Sequence, residues 1–208
     1  GFDDFGGGIL VRNDTTVAFV DAMVSANMAC FGGGGIATFF GATVSLTNTS
    51  VSGNSADERG GGVFHDVTAA SLTLTDSTVS GNSAARRGGG IVNTGLVTLE
   101  NVTVCNNWAG SDGGGIYSRG TATLTATTVS GNTANVGGGI YNSQDATLTG
   151  VTVSRNDASE GGGIYNRGDA TLIQATLAGN TAGLDGGGIQ QADGALSLLN
   201  STVTANLA

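Results

Sequence analysis

Residues 113–134 read GGGIYSRGTATLTATTVSGNTA: a glycine triplet, the branched aliphatic Ile116, further apolar positions at Leu124 and Val129, then Asn132 and Ala134. The same order recurs eight times, with triplets ending at Gly8, Gly35, Gly62, Gly90, Gly115, Gly139, Gly163 and Gly188, at spacings of 24 to 28 residues. The second and third apolar positions are always five residues apart (Phe19/Val24, Leu46/Val51, Leu74/Val79 and onward), and an Asn stands three residues beyond the third. Length varies only between the triplet and the second apolar position, and between the Ala and the next triplet. Those stretches are therefore loops, and the invariant stretch is the structural unit.

Glycine at 38 of 208 residues would indicate low complexity if it lacked a period, but here the aliphatics keep register with it. No linker or charge run breaks the series, so residues 1–208 read as one repeat domain. Proline is absent, as expected where nearly every backbone N–H is needed in a ladder. All seven basic residues are Arg against 16 acids, a net charge of −9 that makes nucleic acid and anionic membrane poor partners. No apolar run is long enough to span a bilayer, so no membrane insertion is expected.

Segments such as Ala122-Thr123-Leu124-Thr125 alternate small polar and apolar residues, which is strand periodicity, and no stretch carries a helical i, i+3, i+4 pattern. One unit offers about three large aliphatics, each contributing ~1.5–3 kcal/mol if fully buried, against the ordering entropy of some two dozen residues. A single unit cannot fold, whereas stacked units can. The predicted fold is all-β: a right-handed parallel β-helix of eight coils, with about three short strands per coil. The crossover rule favours the right hand.

In such a stack Asn27, Asn54, Asn82, Asn107, Asn132, Asn156, Asn180 and Asn206 fall ~4.8 Å apart and form a ladder, because an amide both donates and accepts. Carboxylates at that separation would repel by ~3.5 kcal/mol at an effective dielectric of 20. None of the eight positions is Asp, although the chain has 13 Asp elsewhere. Asparagine is also expected here because it tolerates the left-handed backbone of a sharp turn. The triplet supplies a bend at which coils approach closely. It leads into no helix and is followed by no Lys, so a phosphate-cradling role is not expected.

Gly-Gly-Gly-Ile followed by Val-Ser-Gly-Asn, as at Val129-Ser130-Gly131-Asn132, resembles the GGA[ILV] and FxxN tetrapeptide pair of chlamydial polymorphic membrane protein repeats. It is also similar to the wider set of bacterial right-handed parallel β-helix surface proteins. Here a third Gly replaces Ala, and Val or Leu replaces Phe. The resemblance implies right-handed coiling, an extracellular or cell-surface location, and a structural or adhesive role.

Chemistry-bearing residues are sparse. The fold resembles that of pectate lyases and polygalacturonases, which place Asp, Lys and Arg clusters outward. Here the outward strand rows are Ser and Thr (Thr73, Thr98, Thr123, Thr147, Thr171), and the carboxylates lie in turns. Asp145 and Asp169 hold equivalent turn positions in adjacent coils, the one pair compatible with a lyase- or hydrolase-like reading, and turn Asp residues are common for their own sake. The sole His, His65, stands beside Asp66 and reads as half of a solvated surface pair. Glu58, Asp112, Glu160 and Asp185 precede triplets, but Arg86 and Arg87 interrupt that column, so no metal or other cofactor is expected. Cys30 and Cys105 are about three rungs, ~14 Å, apart, too far for a disulfide. No catalytic residue is assigned. The Thr rows form a hydroxyl lattice of a kind that binds ice or glycans, interrupted in the neighbouring rank by Val20, Glu100, Ile173 and Leu199. Tyr117, Tyr141 and Tyr165 form a column after the stacked Ile, structural by default and available to sugars or a neighbouring fibre. Asn13, Asn48, Asn101 and Asn200 sit in glycosylation-type sequons, three of them in one turn phase.

Phase counting gives eight whole turns between the first residues and Ala208, with no polar cap at either end. Head-to-tail stacking would cover such edges and generate an open filament. Phe2, Phe5, Val20 and Met23 at one end, and Leu199 and Leu207 at the other, are the candidate assembly surface. All seven Phe lie within the first 64 residues. The resulting expectation is a non-enzymatic extracellular β-solenoid whose partners are further copies of itself or other surface components, with glycans as the alternative.

Overall fold

A computed structural model describes residues 4–208. Three eight-stranded parallel sheets run the length of the stack: one from Ile9–Val11 to Ile189–Gln191, a second from Thr16–Val20 to Leu196–Leu199, and a third from Met23–Ser25 to Thr202–Thr204. Each coil contributes one strand to each sheet, so the rest of the coil is the crossover that parallel pairing requires. A fourth, minor sheet is added by two-residue strands at Met28–Ala29, Ser55–Ala56, Ser83–Ala84 and Trp108–Ala109, beyond the three strands per coil that the alternation predicts. Later in the chain Asp157–Glu160 pairs with Thr181–Asp185 in the same phase.

Register is like over like. Ile91 lies against Ile116, Leu99 against Leu124 and Val104 against Val129. These side chains point inward and form one continuous apolar core from Val11 to Leu177. The alternate residues on the second and third strands, such as Thr98 and Thr103, face outward and are half-buried by their neighbours in the row. A register slip of one residue would exchange the two sets, so the burial pattern itself fixes the pairing.

Hydrogen bonding between coils continues through the loops. Gly88, Gly89, Gly90 and Ile91 donate in succession to the carbonyls of Asp112, Gly113, Gly114 and Gly115 at 2.9 to 3.3 Å. The absence of proline follows, since a missing N–H would leave a buried carbonyl without its donor. Gly88 has φ of +61°, and a Cβ on Gly89 would lie 2.3 Å from the Trp108 carbonyl oxygen. The triplet is thus a left-handed turn followed by a backbone-on-backbone approach.

The asparagine ladder is continuous. Oδ1 of Asn82 accepts both the backbone N–H and the Nδ2–H of Asn54 at 3.0 Å, while its own Nδ2 donates to the Val51 carbonyl and to Oδ1 of Asn107, each at 3.0 Å. All four hydrogen-bonding valences of the amide are used. The side-chain link recurs from Asn27 to Asn206 at 2.9 or 3.0 Å. One expectation needs correction: the ladder residues are not themselves left-handed. That conformation belongs to the preceding residue, Ala26, Gly53, Gly81, Asn106, Gly131, Arg155, Gly179 or Ala205, with φ between +52° and +64°. Asparagine is therefore required for its side-chain bonds alone.

Candidate functional site

The outer face of the first sheet is unlike the other two. Its middle residues stack as Leu10, Ala37, Phe64, Val92, Tyr117, Tyr141, Tyr165 and Gln190. The flanking loops rise on either side of them, so this face is the floor of a trough along the solenoid axis. In the first three coils the trough is filled. Phe5 packs on Phe31, Phe39 and Phe64 with ring centroids 4.8 to 5.3 Å apart, and the Arg59 guanidinium lies 4.9 Å from the Phe31 ring. Phe5, Phe39 and Phe64 belong to a second apolar cluster outside the main core that continues through Val92 to Tyr117 and Tyr141.

From the fifth coil the trough opens and changes character. Tyr117, Tyr141 and Tyr165 stack with centroids 4.9 and 5.3 Å apart and interplanar angles of 21° and 11°. Their rings stack on one another, with Tyr117 buried and Tyr117 and Tyr141 lining the open groove. Arg87 lies 5.4 Å from the Tyr117 centroid, and its Nε donates to Oδ2 of Asp112 at 3.0 Å. Burial opposes the charge on Arg87, but Tyr117 and Asp112 outweigh it and hold the guanidinium pKa up. Burial also raises the Tyr117 hydroxyl, with Arg87 and Arg119 acting in the opposite direction. Arg167 projects from the other wall beside the Tyr141 hydroxyl, which raises its pKa further. Together with Ser143, Gln144 and Asp193 these groups enclose a groove of about 460 Å³. Both walls come from loops whose lengths differ between repeats, so the repeat pattern alone does not reveal the groove. The signal available in sequence is Tyr directly after the stacked Ile, with Arg two residues on at Arg119 and Arg167.

His65 is not the solvated partner of Asp66. It is fully buried on the Val63–His65 strand, and its Nδ1 is 2.7 Å from Oγ1 of Thr38. It belongs to a second polar column, Thr38, His65, Asn93, Ser118, Asn142, Asn166 and Gln191, formed by the last residue of every first-sheet strand after the first, which ends in Val11. Asn142 donates to Asn166 at 2.8 Å and Asn166 to Gln191 at 3.0 Å. Burial pushes the imidazole pKa down to about 4 against the opposing pull of Asp66 and the Leu96 backbone. Nε2 has no hydrogen-bond partner of ordinary geometry.

The remaining sequence candidates separate cleanly. Asp145 and Asp169 precede the register partners Ala146 and Ala170, and the Asp169 carboxylate accepts the Ala195 amide hydrogen at 2.8 Å, as a turn residue does. Glu58 pairs with Arg86 at 3.2 Å, so two of the acids before triplets, Glu58 and Asp112, are bound to arginines of the neighbouring coil. The sequon residues Asn48 and Asn101 donate to Asp21 and Asp76 of the preceding coil at 2.5 and 2.6 Å. Cys30 and Cys105 are both free. Of the end residues, Val20, Met23, Leu199 and Leu207 are exposed, Phe5 is packed into the trough, and Phe2 lies outside the described residues.

Residues 76–94 and 101–119 match the family model of the Chlamydia polymorphic membrane protein repeat. The two matched segments span the third to fifth coils, each holding a ladder asparagine and a glycine triplet. No curated protein and no solved structure matches the chain.

Proposed function

We propose that this chain is a non-enzymatic structural and adhesive rod of the cell surface whose end coils join further coils in register. The parallel β-solenoid and the polymorphic membrane protein repeat fit a surface β-helix protein. The observation that carries the finer reading is the state of the end coil. Leu198 and Val203 continue the inward columns of Leu172 and Leu177, yet they are 46% and 48% exposed where their predecessors are fully buried. Beside them Leu199 and Leu207 stand open, and at the opposite end Val20 and Met23 do. Further coils stacked there in register would cover the inward Leu198 and Val203 and extend three sheets and the asparagine ladder at once, and a second copy docked head to tail is one source of such coils.

Sedimentation velocity and negative-stain electron microscopy of the 208-residue chain test this reading. One copy is a rod of eight coils, about 38 Å long at ~4.8 Å per coil. Concentration-dependent growth into longer rods of constant width is expected, and Leu199→Arg should suppress it. Monomers at every concentration would contradict it.

A second reading rests on the outward Thr row, which the register places in line as Thr73, Thr98, Thr123, Thr147 and Thr171. Such a lattice suits ice or a glycan surface. Thermal hysteresis measurements and a glycan array separate the two, and Thr123→Leu combined with Thr147→Leu should abolish whichever activity is found.

A further inference from the structure

The loop between the repeat's Ala and its glycine triplet is not of one length. Ala134 and Ala158 stand three residues before Gly137 and Gly161, whereas Ala109 and Ala182, in the coils on either side, stand four before Gly113 and Gly186. Two short loops between two longer ones leave a depression of about 410 Å³ on the minor-sheet face, lined from these four coils. At one end of it stands Trp108, the only tryptophan of the chain and 48% exposed. Between Ser55 and Thr181 the register row that carries it is otherwise small and polar: Ser55, Ser83, Thr133, Asp157 and Thr181. A Cβ on Gly110 would lie 3.3 Å from Cη2 of the indole, so the ring reaches over the loop of its own coil. We infer that this depression binds a neutral oligosaccharide of β-linked, equatorially substituted pyranoses, one of whose rings sits on the Trp108 indole.

The lining selects the ligand class. An indole offers a broad apolar face, which matches the axial C–H face of a pyranose whose substituents are equatorial. The hydroxyls at the rim of that sugar need donors and acceptors, and Thr133, Asn135, Asp157 and Thr181 supply both along the axis. Oδ1 of Asn135 accepts the Ser159 hydroxyl hydrogen at 2.9 Å, which holds the amide in place and leaves its Nδ2 hydrogens to donate. From Trp108 to Thr181 is three rungs, ~14 Å, so an extended β-linked chain follows the depression where a curved α-linked chain leaves it. Charge argues against an anion. Asp157 is the one charged side chain of the lining, while Asp112, Glu160 and Asp185 end the loops beside it, the first of them paired with Arg87. Arg155, on the same coil as Asp157, is outside the lining, so an acidic sugar or a phosphate meets net negative charge. A cation over the indole would want a carboxylate close by, but Asp157 is two rungs along the row, ~9.6 Å away. A peptide strand finds no free edge, because Thr133 and Asp157 are bridged to the coils on both sides.

As the sole tryptophan, Trp108 reports on its own site. Titration of the intact chain with cellotriose and with tri-N-acetylchitotriose, followed by tryptophan fluorescence and by calorimetry, tests the inference, with maltotriose and glucose 6-phosphate as controls. At least one of the β-linked trimers should shift the emission to saturation, and both controls should bind at least about tenfold more weakly, the loss of one well-packed ring contact. In calorimetry Trp108→Thr, which places there the residue that Thr133 and Thr181 already supply in the same row, should weaken the trimer by about tenfold or more, and Asn135→Ala should weaken it as well. Circular dichroism and Tm should be unchanged in both variants, because both side chains are exposed. Thr123→Leu combined with Thr147→Leu, on the second sheet, should leave the binding intact. No binding of either β-linked trimer, preference for a control, affinity indifferent to Trp108→Thr, or binding lost with the Thr pair would each overturn the proposal. So would an emission shift on raising the protein concentration alone, which would mark the indole as a contact between rods. The site lies on the flank of the rod, so its result and that of end-to-end assembly are read separately.

Discussion

Gly90 and Asn107 occupy the same space. A Cβ on Gly90 would lie 3.0 Å from Nδ2 and 3.1 Å from Cγ of Asn107, and 2.6 Å from the Gly115 carbonyl oxygen. The third glycine of the triplet is therefore the seat of the asparagine ladder, and the two most conspicuous features of the repeat are halves of one contact. The same approach recurs between Gly35 and Asn54 and between Gly163 and Asn180.

Gly90→Ala should destabilise the fold far more than Gly53→Ala, although both alter one glycine. Gly53 has φ of +62° with nothing within 4 Å of its Cβ position, so alanine there costs only the left-handed conformation, about 1–2 kcal/mol. At Gly90 the added methyl group meets backbone and the ladder, which should roughly double that cost or more. Urea unfolding of the two variants checks the order.

Asn107→Asp should be worse than Asn107→Ala at neutral pH. The amide donates to the Val79 carbonyl and to Oδ1 of Asn132, each at 3.0 Å. Alanine leaves these acceptors unpaired, costing about 1–3 kcal/mol each. A carboxylate would in addition place a buried negative charge against both. Protonation relieves part of this, so the aspartate variant should recover relative to the alanine variant as pH falls, a crossover that unfolding midpoints between pH 7 and 4 would detect.

His65 makes stability pH-dependent in a defined window. Its pKa falls from 6.5 to about 4 on folding, so between those values the unfolded chain binds the extra proton and stability declines as pH drops. The contribution is complete above about pH 6.5, lost by about pH 4, and amounts to about 3 kcal/mol. His65→Gln should flatten this part of the profile, measured as ΔG of unfolding against pH relative to the parent chain. An unchanged slope would show that the imidazole does not carry it.

The two thiols should differ in reactivity. Cys30 is exposed, whereas Cys105 is partly buried between Ser80 and Ser130, and burial raises its pKa. With an aromatic disulfide reagent, native protein should show one fast and one slow thiol. Denatured protein should give two equivalents at once, since neither is in a disulfide.

The fold was legible because its period is written in residue identity: Ile after the triplet, Leu and Val at a fixed interval, then Asn. Each stacks on its own kind, so spacing and register are the same information. The Thr38–His65–Asn93 column was not legible, because its members share a position but no residue type, and a lone His beside an Asp looks like a surface pair. Phe5, Phe31, Phe39 and Phe64 read as end residues in the sequence, yet their rings fill a trough formed by loops of unequal length. The arginine and tyrosine groove escaped for the same reason. Its floor is periodic, but its walls come from the variable part of each repeat.

Side-chain amide hydrogen exchange, resolved by NMR for each Asn, tests the register-locked stack most directly. Strong protection is expected of the Nδ2 protons of the buried Asn54, Asn82, Asn107, Asn132, Asn156 and Asn180, and rapid exchange at the exposed Asn13 and Asn200. Uniformly fast exchange across all of these amides would contradict it.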